Sequence, residues 1–251
     1  MNRTALWQWF LWIAAIVNAM AWGISAWWLA PDADIEATRR VLFWLSAIYV
    51  AGCAFRSILP MVDVPRFCLH DTPLSRIFIG RSVATVAELA FVAQWSILMH
   101  EAGAVRAAIA VFAIIVVAEG FSWMAVTTRD DLYHAVENAL WTVAAALATV
   151  FLASRWEHEA EVGQRVILVT IACAAVYVAF MSFYVVPMYV RRWREGAVHL
   201  SLADGMRQML ARCTIERDWV HWRQDAAWLT PYFTVAVWLS ITLAFVPSLQ
   251  N

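Results

Sequence analysis

Apolar residues in this chain fall into seven runs, at roughly 5–29, 39–59, 74–99, 104–127, 132–153, 164–190 and 226–247, separated by short polar stretches. A helix rising about 1.5 Å per residue needs about twenty residues to cross a hydrocarbon layer about 30 Å thick, and each run is long enough. The pattern predicts an all-α integral membrane protein, a bundle of seven transmembrane helices. The spans use up the 251 residues, so the chain reads as a single transmembrane domain, 1–251. The first run follows a single arginine, Arg3, and exceeds the usual apolar length of a cleaved signal peptide, so it is expected to be retained.

Several boundaries carry local signals. Asp71-Thr72-Pro73 places a capping side chain before a proline suited to a first helical turn, and Asp130-Asp131 does the same work for the fifth span. Ser201 followed by Asp204 resembles a capping box, and Leu202, Met206, Met209 and Leu210 can share one face. Residues 200–213 therefore read as an amphipathic segment on the membrane surface. The loop from Arg56 to Arg76 mixes charges with Pro60, Pro65 and Pro73, which predicts an ordered connection.

Composition agrees: 63% of residues are hydrophobic and 15% charged, against about 45–50% and about 25% in a soluble domain. All 18 basic residues are arginine. A chain without lysine cannot hold retinal as a Schiff base, which removes the opsin-like reading that seven helices invite. Arginine also sets the expected orientation. Arg3, Arg56, Arg66, Arg76, Arg81, Arg129, Arg191, Arg192, Arg194, Arg207, Arg212, Arg217 and Arg223 fall on one side and five arginines on the other. By the positive-inside rule the N-terminus is cytoplasmic and the C-terminus outside, with Glu157, Glu159 and Glu161 on an outer loop. The expected location is a bacterial inner membrane, with membrane lipids as partners. A net charge of −1 gives nucleic-acid binding no support.

Of the 16 tryptophans, Trp7, Trp9, Trp27, Trp28, Trp156, Trp193 and Trp219 lie near span ends, where indole favours the interface. Trp95, Trp123 and Trp141 lie deeper and read as packing. Cys53, Cys68, Cys173 and Cys213 stand singly, and are read as buried thiols outside any disulfide framework or zinc module.

Chemistry is expected where acids interrupt apolar runs, because an intramembrane charge is costly and usually faces a bundle interior or a watery cavity. Glu88, Glu119 and Glu137 do so on the third, fourth and fifth spans. The helical rise puts them about 16, 12 and 7 Å from one membrane edge, all in the cytoplasmic half. His134 precedes Glu137 by one turn, and Arg81 and Thr85 share a face with Glu88. Neither the distribution of the six histidines nor any G-x-S-x-G or H-E-x-x-H motif points to haem or a known membrane hydrolase.

Three readings of these residues are open. Glu88, Glu119, His134 and Glu137 can be metal ligands or acid/base groups, with iron, manganese or zinc as the metal. Asn138, Arg81, Arg56 and Arg66 would then bind substrate, the arginines holding an anionic group of a lipid. This is the first expectation, a multi-pass membrane enzyme acting on a lipidic substrate. The same carboxylates can instead carry protons or cations in a small-molecule transporter, or can hold helices together, Glu88 pairing with Arg81.

Overall fold

A computed structural model describes residues 2–29, 37–154, 161–196, 199–211 and 213–246. The positions read above as Trp156, Glu157, His158, Glu159 and Arg212, and the side chain of Glu161, lie outside the described residues. The elements are α1 (Arg3–Leu29), α2 (Ala37–Ile58), β1 (Met61–Val62), β2 (Phe67–Cys68), α3 (Ile77–Glu101), α4 (Val105–Thr128), α5 (Asp131–Ser154), α6 (Glu161–Phe180), α7 (Val186–Arg194), α8 (Leu202–Leu210), β3 (Thr214–Ile215), α9 (Trp219–Phe233) and α10 (Val235–Leu243). Among the described residues seven helices are long and apolar enough to cross a membrane: α1 to α5, α6 continued into α7, and α9 continued into α10.

Two of these helices are interrupted for identifiable reasons. A π-helical turn, Met181–Val185, joins α6 to α7. Pro187 follows directly, and its missing N–H would orphan a carbonyl one turn earlier in a regular helix. Pro231 lies inside α9, and the chain leaves helical geometry at Thr234 before α10 resumes. The break exposes the Phe233 carbonyl, which accepts a 2.8 Å hydrogen bond from Asn18 Nδ2.

The chain divides into two compact units, one formed by Met1–Gln94 with Met206–Pro247 and the other built on Trp95–Gly205. In the first, α2 packs on α1 and α10, and α1 also meets α9. Its core gathers Trp7, Leu11, Tyr49, Trp222, Leu229 and Phe233. At Gly52 a Cβ would lie 2.7 Å from the Ala87 Cβ, so small residues set the approach of α2 to α3. Gln94 locks three helices, donating to the carbonyls of Leu42 and Ser240 and accepting from the Ser240 hydroxyl at 2.6 Å.

The Arg56–Arg76 loop of this unit is ordered and contains strand. β1 pairs antiparallel with β2, and β2 pairs parallel with β3. Arg56 donates to the Met61 carbonyl at 3.1 Å, and Arg66 donates to Gln208 Oε1 at 3.0 Å. Both guanidinium groups are buried. A disulfide joins Cys68 to Cys213, which corrects the expectation of four separate thiols: strand pairing aligns residues 145 apart, a distance single-residue spacing does not reveal.

In the second unit α5 is the central element, packed against α4 and against α6, the π turn and α7. Asp130 caps α5 as expected, its carboxylate accepting from the Leu132 N–H at 2.9 Å. The capping box also forms, with the Ser201 hydroxyl bonded to Asp204 Oδ2 and accepting from the Asp204 N–H. α8 covers most of the segment read as amphipathic. Leu202, Met206 and Leu210 are exposed along it, whereas Met209 is buried.

Two helix starts differ from expectation. α3 begins at Ile77 rather than after Pro73, because residues 72–75 close a turn: the Ser75 N–H donates to the Thr72 carbonyl and their hydroxyls bond at 2.8 Å. α9 begins at Trp219, capped by Asp218, seven residues before the apolar run. Arg223 faces outward there, while Asp225 is buried and accepts from Trp228 Nε1, so charge does not end the helix.

Candidate functional site

Within the second unit, α4 and α5 bring two acids together. Glu119 and Glu137 are both buried, at 4% and 7% exposure, and a carboxylate oxygen of one lies within 4.8 Å of one of the other. His134 stands one turn before Glu137 on α5, and its Nδ1 hydrogen-bonds Glu137 Oε2 at 2.7 Å. The ring is buried and lies 5.0 Å from that of Tyr189 on α7. Asn138 is tied to the same turn, donating from Nδ2 to the His134 carbonyl at 2.7 Å.

This arrangement has a definite electrostatic demand. Two carboxylates so close in a dry interior repel unless a proton, a cation or a neighbouring positive charge offsets them. His134 supplies one such partner when protonated. When neutral, its Nδ1–H donates to Glu137, fixing the tautomer and the orientation of that carboxylate while Nε2 points away from it. Carboxylate oxygen is a donor suited to iron, manganese or zinc.

The first unit holds a second buried polar cluster. Arg81 Nη2 meets Glu88 Oε2 at 2.6 Å, and Arg81 Nε donates to Thr85 Oγ1 at 3.3 Å. Tyr232, on α9, donates its hydroxyl to Glu88 Oε1 at 2.8 Å. Tyr49 packs beside it, with ring centroids 6.1 Å apart. Thus both carboxylate oxygens of Glu88 are engaged, and the pairing of Glu88 with Arg81 expected from the sequence is present.

Tyr189, beside His134, and Tyr232, bonded to Glu88, were missed because nothing in the pattern of a span marks an aromatic residue that meets a polar side chain on another helix. Asp225 was missed for a different reason, its nearness to Arg223 making it look like part of a loop. Arg56 and Arg66, expected to bind a headgroup, bond respectively to the Met61 carbonyl of the same loop and to Gln208 on α8. No protein-family model matches the chain, and comparison with curated proteins and with solved structures returned no match.

Proposed function

We propose that the chain is a multi-pass membrane enzyme acting on a lipidic substrate through a divalent cation held by Glu119 and Glu137, with His134 orienting Glu137. The observation that carries this reading is the approach of the two buried carboxylates to within 4.8 Å, with an imidazole already fixed on one of them. A bound iron, manganese or zinc ion would offset their repulsion and act as a Lewis acid toward an ester or phosphoryl oxygen. Asn138 is a neighbouring polar contact for substrate. Glu88 and Arg81 form a separate buried acid–base pair in the first unit.

We further propose that the seven helices lie in a bacterial inner membrane with the N-terminus cytoplasmic. Support comes from the distribution of arginine and from apolar side chains such as Ile16, Val150 and Val176, which are exposed along the helices. Reporter fusions at the two termini test it: cytoplasmic signal at the C-terminus contradicts the orientation.

For the enzyme reading, protein reconstituted in vesicles of extracted lipid is incubated with each metal, and the lipids are compared by mass spectrometry. The expected result is metal-dependent conversion of a lipid species, absent with Glu119→Gln. Lipids unchanged by the wild type with every metal would contradict it. A second reading, proton- or cation-coupled transport through the same carboxylates, is favoured by the π turn packed on α5, since such turns allow helix register to shift. Flux driven by a pH gradient in proteoliposomes and lost with Glu137→Gln would select that reading.

A further inference from the structure

The strongest feature outside these clusters is a cleft of about 240 Å³ in the first unit, lined by Asn2, Thr4, Ala5, Gln8, Leu69, His70 and Arg217. Three parts of the chain meet there: the first turns of α1, the end of the strand-bearing loop, and the segment leading into α9. We propose that this cleft binds a phosphate group, presented by a lipid headgroup at the membrane surface or free in solution.

Several independent features point to an anion. The N-terminus of α1, a helix of 27 residues, directs first-turn N–H groups toward this end, where a helix favours negative charge. The Asn2 side chain takes only the Thr4 N–H, at 3.2 Å. Thr4 is 2% exposed and its hydroxyl has no hydrogen-bond partner, a donor that folding has buried unused. Arg217 adds a full positive charge and a planar fork suited to phosphate oxygens. No carboxylate lines the cleft among the described residues.

The neighbours of His70 complete the picture. Its Nε2 is hydrogen-bonded to Gln8 Nε2, and its ring stacks on Trp12 at 6.2 Å. Burial and then the charge of Arg217 hold the His70 imidazole below its ordinary pKa. A phosphate in the cleft would offset Arg217 and relieve that second effect, whereas Asn2, Thr4 and Gln8 are neutral at every relevant pH. The size also discriminates, since the cleft is smaller than the about 300–1,000 Å³ of sites for drug-sized ligands. It suits inorganic phosphate or one headgroup.

The test uses full-length protein in two arms. Inorganic phosphate is titrated into detergent-solubilised protein at constant ionic strength, with chloride as control, following the His70 ring signals by NMR. In parallel, native mass spectrometry from nanodiscs of phosphatidylglycerol or phosphatidic acid, mixed with phosphatidylcholine, reads retained lipid. We expect saturable binding in at least one arm, weakened about tenfold or more by Arg217→Gln, as loss of a charge-assisted contact implies. Binding in the first arm alone identifies free phosphate as the source, and retained anionic lipid alone identifies a headgroup. Thr4→Val, which keeps shape and removes the hydroxyl, should weaken either. Arg217 is exposed, so its variant should fold. No saturable binding in either arm, or binding equal in wild type and Arg217→Gln, overturns the proposal.

Discussion

The hydroxyl of Tyr232 donates a 2.8 Å hydrogen bond to Glu88 Oε1, joining side chains separated by 144 residues in the sequence. The other oxygen of that carboxylate meets Arg81 at 2.6 Å. A buried carboxylate with a cation on one oxygen and a hydroxyl on the other is stable only while both remain. Removing the cation strands a charge, and such losses cost about 3–5 kcal/mol. Removing the hydroxyl loses one hydrogen bond, about 1–2 kcal/mol. Thermal unfolding in detergent should therefore rank Arg81→Gln well below Tyr232→Phe, with both below the wild type. Equal stability for all three would show that the cluster contributes nothing to the fold.

Gly205 gives a sharper steric prediction. A Cβ there would lie 1.9 Å from the Thr127 carbonyl oxygen, which is backbone and cannot rotate away. Gly205→Ala should push the first turn of α8 off the Thr127 carbonyl and make residues 199–205 susceptible to limited proteolysis. Gly120→Ala serves as the control, because nothing lies within 4 Å of a Cβ at that site. Cleavage at the same rate in both variants and in the wild type would contradict the docking.

These elements show what a single chain discloses. Seven apolar runs were enough to place the seven helices, among the described residues, that are long and apolar enough to cross a membrane, since length and hydropathy act locally along a helix. The Asp130 cap and the Ser201–Asp204 box were legible for the same reason, each being complete within four residues. The parallel pairing of β2 with β3, the Cys68–Cys213 link and the Tyr232–Glu88 bond were not legible. All depend on which distant segments meet, and two-residue strands carry no periodicity. Asp225 was obscured because a buried acid satisfied by Trp228 looks, in sequence, like a solvated one. For the candidate site, the acids were visible as interruptions of apolar runs, but the geometry of Glu119, Glu137 and His134 was not.

The disulfide predicts a peptide map. Digestion without reduction should recover the peptides of Cys68 and Cys213 as one linked species, which reduction separates. Cys53 is a free, buried thiol, and should stay unlabelled by maleimide in the folded protein in either condition. In the proposed orientation the pair faces the reducing cytoplasm, so the map is made on protein purified under air; recovery of Cys68 and Cys213 only as separate alkylated peptides from that protein would contradict the link.

His70 predicts a pH dependence whose sign can be worked out. Its folded pKa lies below the ordinary value of 6.5, through burial and Arg217, so the folded state disfavours the protonated ring. Its contribution is fully present above pH 6.5 and declines as pH falls through that value toward the lowered folded pKa. NMR titration should place the His70 midpoint below that of a free histidine, and Arg217→Gln should move it upward. A midpoint at or above 6.5 in the wild type would contradict this electrostatic account.

The claim that Glu119 and Glu137, with His134 orienting Glu137, form a cation centre is tested most directly by metal content. The wild type, Glu119→Gln and Glu137→Gln are purified in parallel and measured by plasma mass spectrometry for iron, manganese and zinc. The account predicts stoichiometric metal in the wild type and its loss from both variants while their helical circular dichroism is retained. Wild-type protein without stoichiometric metal after growth and purification with each metal supplied, or a metal content unchanged by both substitutions, would contradict it.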